Sequence, residues 1–189
     1  MNDKYVFLDR DGVINKDPGG WTDHGYVTKR EDLYFLPGSL EAIRKLTEEG
    51  YKSVIISNQQ GVGKGYFTQE DLDEVTDEMI SGIRKSGGDI AAVYYCPHLR
   101  TEECGCHKPD PGLFDKAREE LGLGDIRGRF YVGDTERDIQ AGRKAGLKTI
   151  LVLSGKSSRE ETGTWEHRPD YICESLLEAV GLIIGEDNG

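Results

Sequence analysis

Short apolar runs punctuate the chain at 5–8, 52–57, 90–95, 129–133 and 148–153, each rich in Val, Ile, Leu, Phe or Tyr and too short for a buried helix. Between them the apolar period lengthens. Leu40, Ile43 and Leu46 follow Ser39, which reads as an N-cap, and Gly50 reads as the stop. Thr68 precedes a second helical pattern of Leu72, Val75, Met79 and Ile83. Asp110-Pro111 opens a third, with aspartate at the cap and proline in the first turn, and 135–145 carries a fourth, closed by Gly146. A short run at 171–173 predicts an edge strand, and 175–184 a last helix. Strict alternation of strand and helix predicts an α/β domain on a parallel sheet with right-handed crossovers.

Two stretches break this rhythm. Residues 15–32 read as a long polar loop containing Pro18-Gly19-Gly20 and His24-Gly25-Tyr26, and 96–109 as a cysteine-rich insertion. Loops of such length in a compact domain are usually functional or disordered. A surface loop is expected over 155–169. The chain therefore reads as a single domain over 1–185, with a substrate loop at 15–32, a zinc loop at 96–109 and a disordered tail at 186–189.

Composition narrows the partners. A chain of 189 residues suits one α/β domain, and its formal net charge of -11 disfavours nucleic acid and anionic membranes, which its field would repel. A small phosphorylated substrate remains compatible if basic residues and a metal reverse the sign locally. With no secretory pattern and no apolar run of spanning length, the expectation is a soluble, cytoplasmic monomer.

The candidate chemistry begins where the first run ends, in Asp9-Arg10-Asp11-Gly12. In a parallel sheet, reactive groups gather beyond the carboxyl ends of the strands, and three more polar clusters fall at such positions: Ser57-Asn58-Gln59, Lys108, and Gly133-Asp134 with Asp138 one helical turn later. Singly, each has an ordinary structural reading as a cap, a strand end or a solvated charge. Together they describe phosphoryl transfer. A phosphate monoester repels a carboxylate, so a hard cation must neutralise both, and oxygen donors suit Mg²⁺. Asp9 and Asp134 would hold it with the Asp11 carbonyl. Asp9 would form an aspartyl-phosphate, Asp11 would act as general acid and base, and Ser57, Asn58 and Lys108 would offset charge on the phosphoryl oxygens. The glycine-rich 61–65 segment fits neither the Walker nor the dinucleotide pattern, because Asn58, Gly65 and Tyr66 stand at defining positions.

A second constellation is Cys96-x-His98-x5-Cys104-x-Cys106. Its spacing can close a tetrahedral Cys₃His site, and four protein ligands leave no position open for catalysis, so the Zn²⁺ expected there is structural. The alternative is a reduced, uncoordinated loop. His167 and Cys173 carry no comparable signal.

Asp-Arg-Asp-Gly-Val-Ile, Ser57-Asn58, Lys108 and Gly-Asp-x-x-x-Asp at 133–138 resemble, in order, the four motifs of the haloacid dehalogenase superfamily of phosphatases. The resemblance covers essentially the whole chain. It implies a Rossmann-like three-layer sandwich with strand order 5-4-1-2-3 and no large cap domain, and a supporting rather than ligating role for Asp138. Within the superfamily, the Cys-Pro-His and Cys-x-Cys-x-Lys-Pro segments, His24-Gly25-Tyr26-Val27 and Asn58-Gln59-Gln60-Gly61 are similar to the branch of heptose 1,7-bisphosphate 7-phosphatases and histidinol-phosphatase domains. That implies release of the 7-phosphate of D-glycero-D-manno-heptose 1,7-bisphosphate, in nucleotide-activated heptose synthesis. Histidinol-phosphate hydrolysis is the alternative, and a zinc-stabilised binding module with a vestigial site is the reading from another class. Substrate contacts are expected from Arg10, His24, Gly25, Tyr26, Asn58, Gln59, Gln60, His107 and Thr135. Two departures stand out: His107 occupies the place usually held by arginine, and 18–23 appears inserted in the substrate loop.

Overall fold

The computed structural model describes residues 4–187. Six parallel strands form one sheet: β1 (Lys4–Leu8), β2 (Tyr51–Asn58), β3 (Ala92–Cys96), β4 (Phe130–Gly133), β5 (Lys148–Val152) and β6 (Tyr171–Cys173), in the order β3-β2-β1-β4-β5-β6. Read from the other edge, this is the expected 5-4-1-2-3 with β6 added beside β5. Alternation along β1 divides its side chains between two cores. Val6 and Leu8 join the cluster packed under α1 (Ser39–Glu48), α2 (Gln69–Lys85) and α5 (Leu176–Asp187), whereas Phe7 enters the cluster under α3 (Gly112–Glu120) and α4 (Glu136–Lys144). The result is a sheet between two helical layers. No helix among the described residues is long and apolar enough to cross a membrane.

Register sets the functional edge. Leu8 lies opposite Ile55 and Val132, Asn58 opposite Cys96, and Gly133 opposite Leu151, so the residues after β1, β2, β3 and β4 emerge on one side.

Local chemistry shifted several boundaries. Ser39 is the first helical residue rather than the cap, because Gly38, at φ 77°, turns the chain there and Ser39 N donates to Leu36 O at 3.0 Å. Asp110 does not cap α3; Pro111 occupies that position, and Asp110 pairs instead with Lys144 at 3.1 Å. Thr68 does cap α2, in a reciprocal box with Asp71. Of the expected disordered tail, Glu186 and Asp187 belong to α5, where Glu186 pairs with Lys148 at 2.9 Å and Asp187 accepts from the Tyr51 hydroxyl. Residues 188–189 lie outside those described. The loop at 15–32 holds two single 3-10 turns, Asp23–Gly25 and Arg30–Asp32.

Candidate active site

A cavity of about 250 Å³ opens at the carboxyl edge of the central strands. Its floor is built from strand ends: Asp9 after β1, Ser57 in β2 and Asp134 after β4, with Lys108 reaching in from the cysteine-rich insertion. All four are buried.

Lys108 is the hub. Its ammonium lies 2.6 Å from Asp138 Oδ1 and 3.0 Å from Asp9 Oδ1, and it donates to Ile56 O at 3.0 Å and to the Tyr131 hydroxyl at 2.9 Å. A lysine only 3 % exposed requires such company, because an unpaired buried charge costs several kcal/mol. Burial alone would lower its pKa, but Asp138 and Asp9 push it well above the usual lysine range. Asp138 is fully committed. Its Oδ1 takes Lys108 and Tyr131, while Oδ2 accepts from the backbone N and hydroxyl of Thr135. It therefore orients the lysine, and both its oxygens are already engaged.

Asp9 titrates high, at about 6, because burial opposes its charge and Asp138 and Asp11 add to that effect, while Lys108 works against it. Burial, followed by Asp138 and Asp9, likewise raises Asp134 well above the usual carboxylate range. Oxygens of Asp9, Asp134 and Asp138 all lie within 4.8 Å of one another, an arrangement that asks for a cation. With Asp138 committed, Asp9 and Asp134 are the carboxylates left to hold one. Asp134 is cradled by glycine: a Cβ on Gly12 would fall 2.3 Å from its Oδ2, and one on Gly155 would fall 2.1 Å away.

Asp11 is held differently. Arg10 NH2 donates to both its oxygens at 3.0 and 3.1 Å, Asn15 Nδ2 donates at 2.8 Å, and Gln59 Nε2 at 2.9 Å. Burial raises its pKa, yet Arg10 with the Asn15 and Gln59 amides outweighs that and holds it below the usual value.

Several expected contacts with substrate are corrected by this packing. Arg10 is fully buried, with its guanidinium on Asp11 and 5.6 Å from the Tyr95 ring centroid. Gln59 is also fully buried, bridging Asp11 and the Ser57 hydroxyl. His107 lies behind Asn58, its Nδ1 3.4 Å from Asn58 Nδ2, and does not line the cavity. Burial, then the positive charge of Arg137, favours its neutral form. Asn58, by contrast, lines the cavity as expected while it clamps Lys108, accepting from its backbone N at 3.0 Å and donating to its carbonyl at 3.2 Å.

His24, Gly25, Tyr26, Gln60 and Thr135 line the cavity as expected. The His24 ring stacks on Tyr66, with centroids 4.2 Å apart. Lys64, from the glycine-rich turn read as lying beside the phosphate site, lines it too, as do Tyr66, Arg137 and Lys156, which were not among the expected site residues. Lys156 is the second residue of the stretch expected to be surface loop. Its backbone N donates to Asp134 Oδ2 at 2.9 Å, and its ammonium reaches Asp17 at 3.0 Å. Its position just past the end of β5, beside Gly155, was the available signal.

The second cluster has assembled as the spacing predicts. Cys96 Sγ, His98 Nδ1, Cys104 Sγ and Cys106 Sγ lie 3.0–3.8 Å apart in the pairs that approach most closely. A tetrahedral zinc with sulfur ligands has edges of about 3.7 Å. All four cysteines are free of disulfides.

Comparison with known proteins follows this geometry closely. A family model described as HAD-hydrolase-like matches residues 105–179. D-glycero-beta-D-manno-heptose-1,7-bisphosphate 7-phosphatase of Pasteurella multocida is 37% identical over 96% of this chain and 97% of its own length, and that of Escherichia coli O6:H1 is 35% identical over 92% and 90%. The crystal structure of D,D-heptose 1,7-bisphosphate phosphatase from B. bronchiseptica, complexed with magnesium and phosphate, superposes with a TM-score of 0.87 at 32% identity, covering 97% of this chain and 99% of that one. With four motifs converging on one sheet edge and relatives aligned from end to end, the chain belongs to the haloacid dehalogenase (HAD)-like hydrolase family, as a phosphatase.

Proposed function

We propose that the protein is a Mg²⁺-dependent phosphatase that releases the 7-phosphate of D-glycero-β-D-manno-heptose 1,7-bisphosphate. The carrying observation is the buried Asp9–Lys108–Asp138 array beside Asp134, in a cavity sized for a small molecule. The names of its relatives specify the substrate and the β anomer. Asp9 and Asp134, with the Asp11 carbonyl, would hold the cation, and such a donor set is all oxygen, as magnesium requires. When bound, that cation offsets the charge of the phosphate and of the carboxylates around it.

Asp9 attacks phosphorus and becomes an aspartyl-phosphate as the sugar oxygen leaves. Lys108, held by Asp138, and Ser57 stabilise the phosphoryl oxygens. Asp11 is the proton-exchanging group. Arg10 keeps it ionised, the state that takes a proton from the water hydrolysing the intermediate. The preceding step, protonation of the leaving oxygen, requires a protonated Asp11 and so a loosening of the Arg10 contact. The single domain admits substrate between the 15–32 loop and the 96–109 loop, and the latter is stabilised by structural Zn²⁺ on Cys96, His98, Cys104 and Cys106.

The test is kcat/KM for the β and α heptose bisphosphates and for histidinol phosphate. Preference for the β bisphosphate is expected. Faster turnover of histidinol phosphate would overturn the assignment while leaving the mechanism in place.

A further inference from the structure

A bisphosphate bound with one phosphate over Asp9 carries a second, of charge about -2 at neutral pH, that must find a cation of its own in a chain of net charge -11. Most of the cations around the cavity are engaged. Lys108 is shared between Asp9 and Asp138. Lys156 is paired with Asp17, and its backbone holds Asp134, on the side where the cation belongs. Lys64 leans over the Tyr26 and Tyr66 rings, with its ammonium 3.4 Å from the Tyr26 hydroxyl.

Arg137 differs. It lines the cavity from the first turn of α4, is exposed, and has no hydrogen-bond or ion-pair partner among the described residues. Asp138 follows it directly, so the backbone that carries it is anchored to Lys108 and Thr135. It also borders a neighbouring hollow that it shares with Arg100 of the cysteine-rich insertion, whose guanidinium is likewise unpartnered among the described residues. His107 is 6 % exposed, packed behind Asn58 and absent from the lining of the cavity. A buried imidazole outside the cavity lining offers nothing to an anion bound there, whereas a guanidinium on the wall offers two parallel donors to phosphate.

We infer that Arg137, extending toward Arg100, reads the second phosphate of the bisphosphate and so determines specificity in this chain, in place of residue 107. This rests on the bisphosphate reading of the preceding subsection. The distinguishing measurement is the ratio of kcat/KM for heptose 1,7-bisphosphate to that for heptose 7-phosphate, which lacks the group to be read. In Arg137→Ala this ratio should fall about 10- to 100-fold, chiefly through KM on the bisphosphate, as expected for loss of a charged hydrogen-bonded pair. Arg137→Lys should recover part of it, since charge is kept and the fork is lost. An unchanged ratio, whether both substrates suffer equally or neither suffers, would overturn the inference. If the parent enzyme does not hydrolyse heptose bisphosphate, the proposed substrate fails, and the same ratio is then measured on whichever sugar bisphosphate and matching monophosphate it does turn over. A fall there supports the role of Arg137, and an unchanged ratio, or no bisphosphate turnover at all, overturns it.

Discussion

Asp9 and Asp11 stand two positions apart yet live in opposite electrostatic surroundings, and this separates their roles. Asp9 faces Asp138 and the buried floor, and its pKa rises to about 6, whereas Asp11 is wrapped by Arg10, Asn15 and Gln59 and falls below its usual value. Asp9→Asn should abolish phosphate release while the protein melts as a folded domain, because the amide matches the carboxylate in shape but does not attack phosphorus. Retained turnover would refute the covalent route. With the cation placed on Asp9 as proposed, protons and magnesium would compete for it. As pH falls through about 6 the carboxylate protonates and loses both its ligand and its nucleophile character, so the Mg²⁺ concentration for half-maximal activity should rise. A magnesium requirement that stays flat between roughly pH 5 and 7 would contradict the placement of the cation on Asp9. At this scale the sequence was partly legible: the residue types and their order identified the floor of the site, but Arg10, Gln59 and His107 carry the same polar signature as cavity residues and are buried behind it.

The cysteine-rich insertion shows how much an element depends on its cross-links. Residues 97–107 contain no strand and no helix, and the two ends of the insertion are brought together by the Cys96–His98–Cys104–Cys106 cluster and by the clamp of Asn58 on Lys108. Metal there should therefore order the loop that delivers the site lysine. Elemental analysis of the purified protein should find about one zinc per chain, and a strong chelator should lower both Tm and kcat. Zinc-free protein with unchanged melting would exclude a structural role. The cluster was legible because four ligands within eleven positions need no tertiary information to be brought together. The start of the 155–169 loop was not, because the donation by Lys156 N to Asp134 joins residues from different strand ends.

Across the whole molecule, two cores pack on either face of one shared sheet, so the unfolding expected is cooperative and a defect far from the cavity should be felt globally. Met79 of α2 is fully buried in the larger cluster, and Met79→Ala should cost about 2–5 kcal/mol in urea unfolding, through lost transfer energy and the cavity left behind. A cost near zero would mean that α2 is not packed on the sheet as described. The alternation of runs made the sheet and its order legible, while boundaries at Ser39 and Asp110 shifted because Gly38 and Pro111 occupy the turns and Lys144 claims the aspartate. Glu186 and Asp187 lie in the last turn of α5 with partners on β5 and β2, contacts that local composition does not contain.

Sequence alone determined the parallel architecture and the two side-chain clusters proposed for phosphoryl transfer and for zinc, because each is encoded in spacing: period two against period three to four, carboxylates separated by one residue at a strand end, soft ligands within one loop. Tertiary structure decided which polar side chains face the cavity and which brace it. Orientation depends on pairings that include distant segments: Arg10 turns inward because Asp11 and Tyr95 receive it, His107 because Asn58 stands in front, and Arg137 has no hydrogen-bond or ion-pair partner among the described residues.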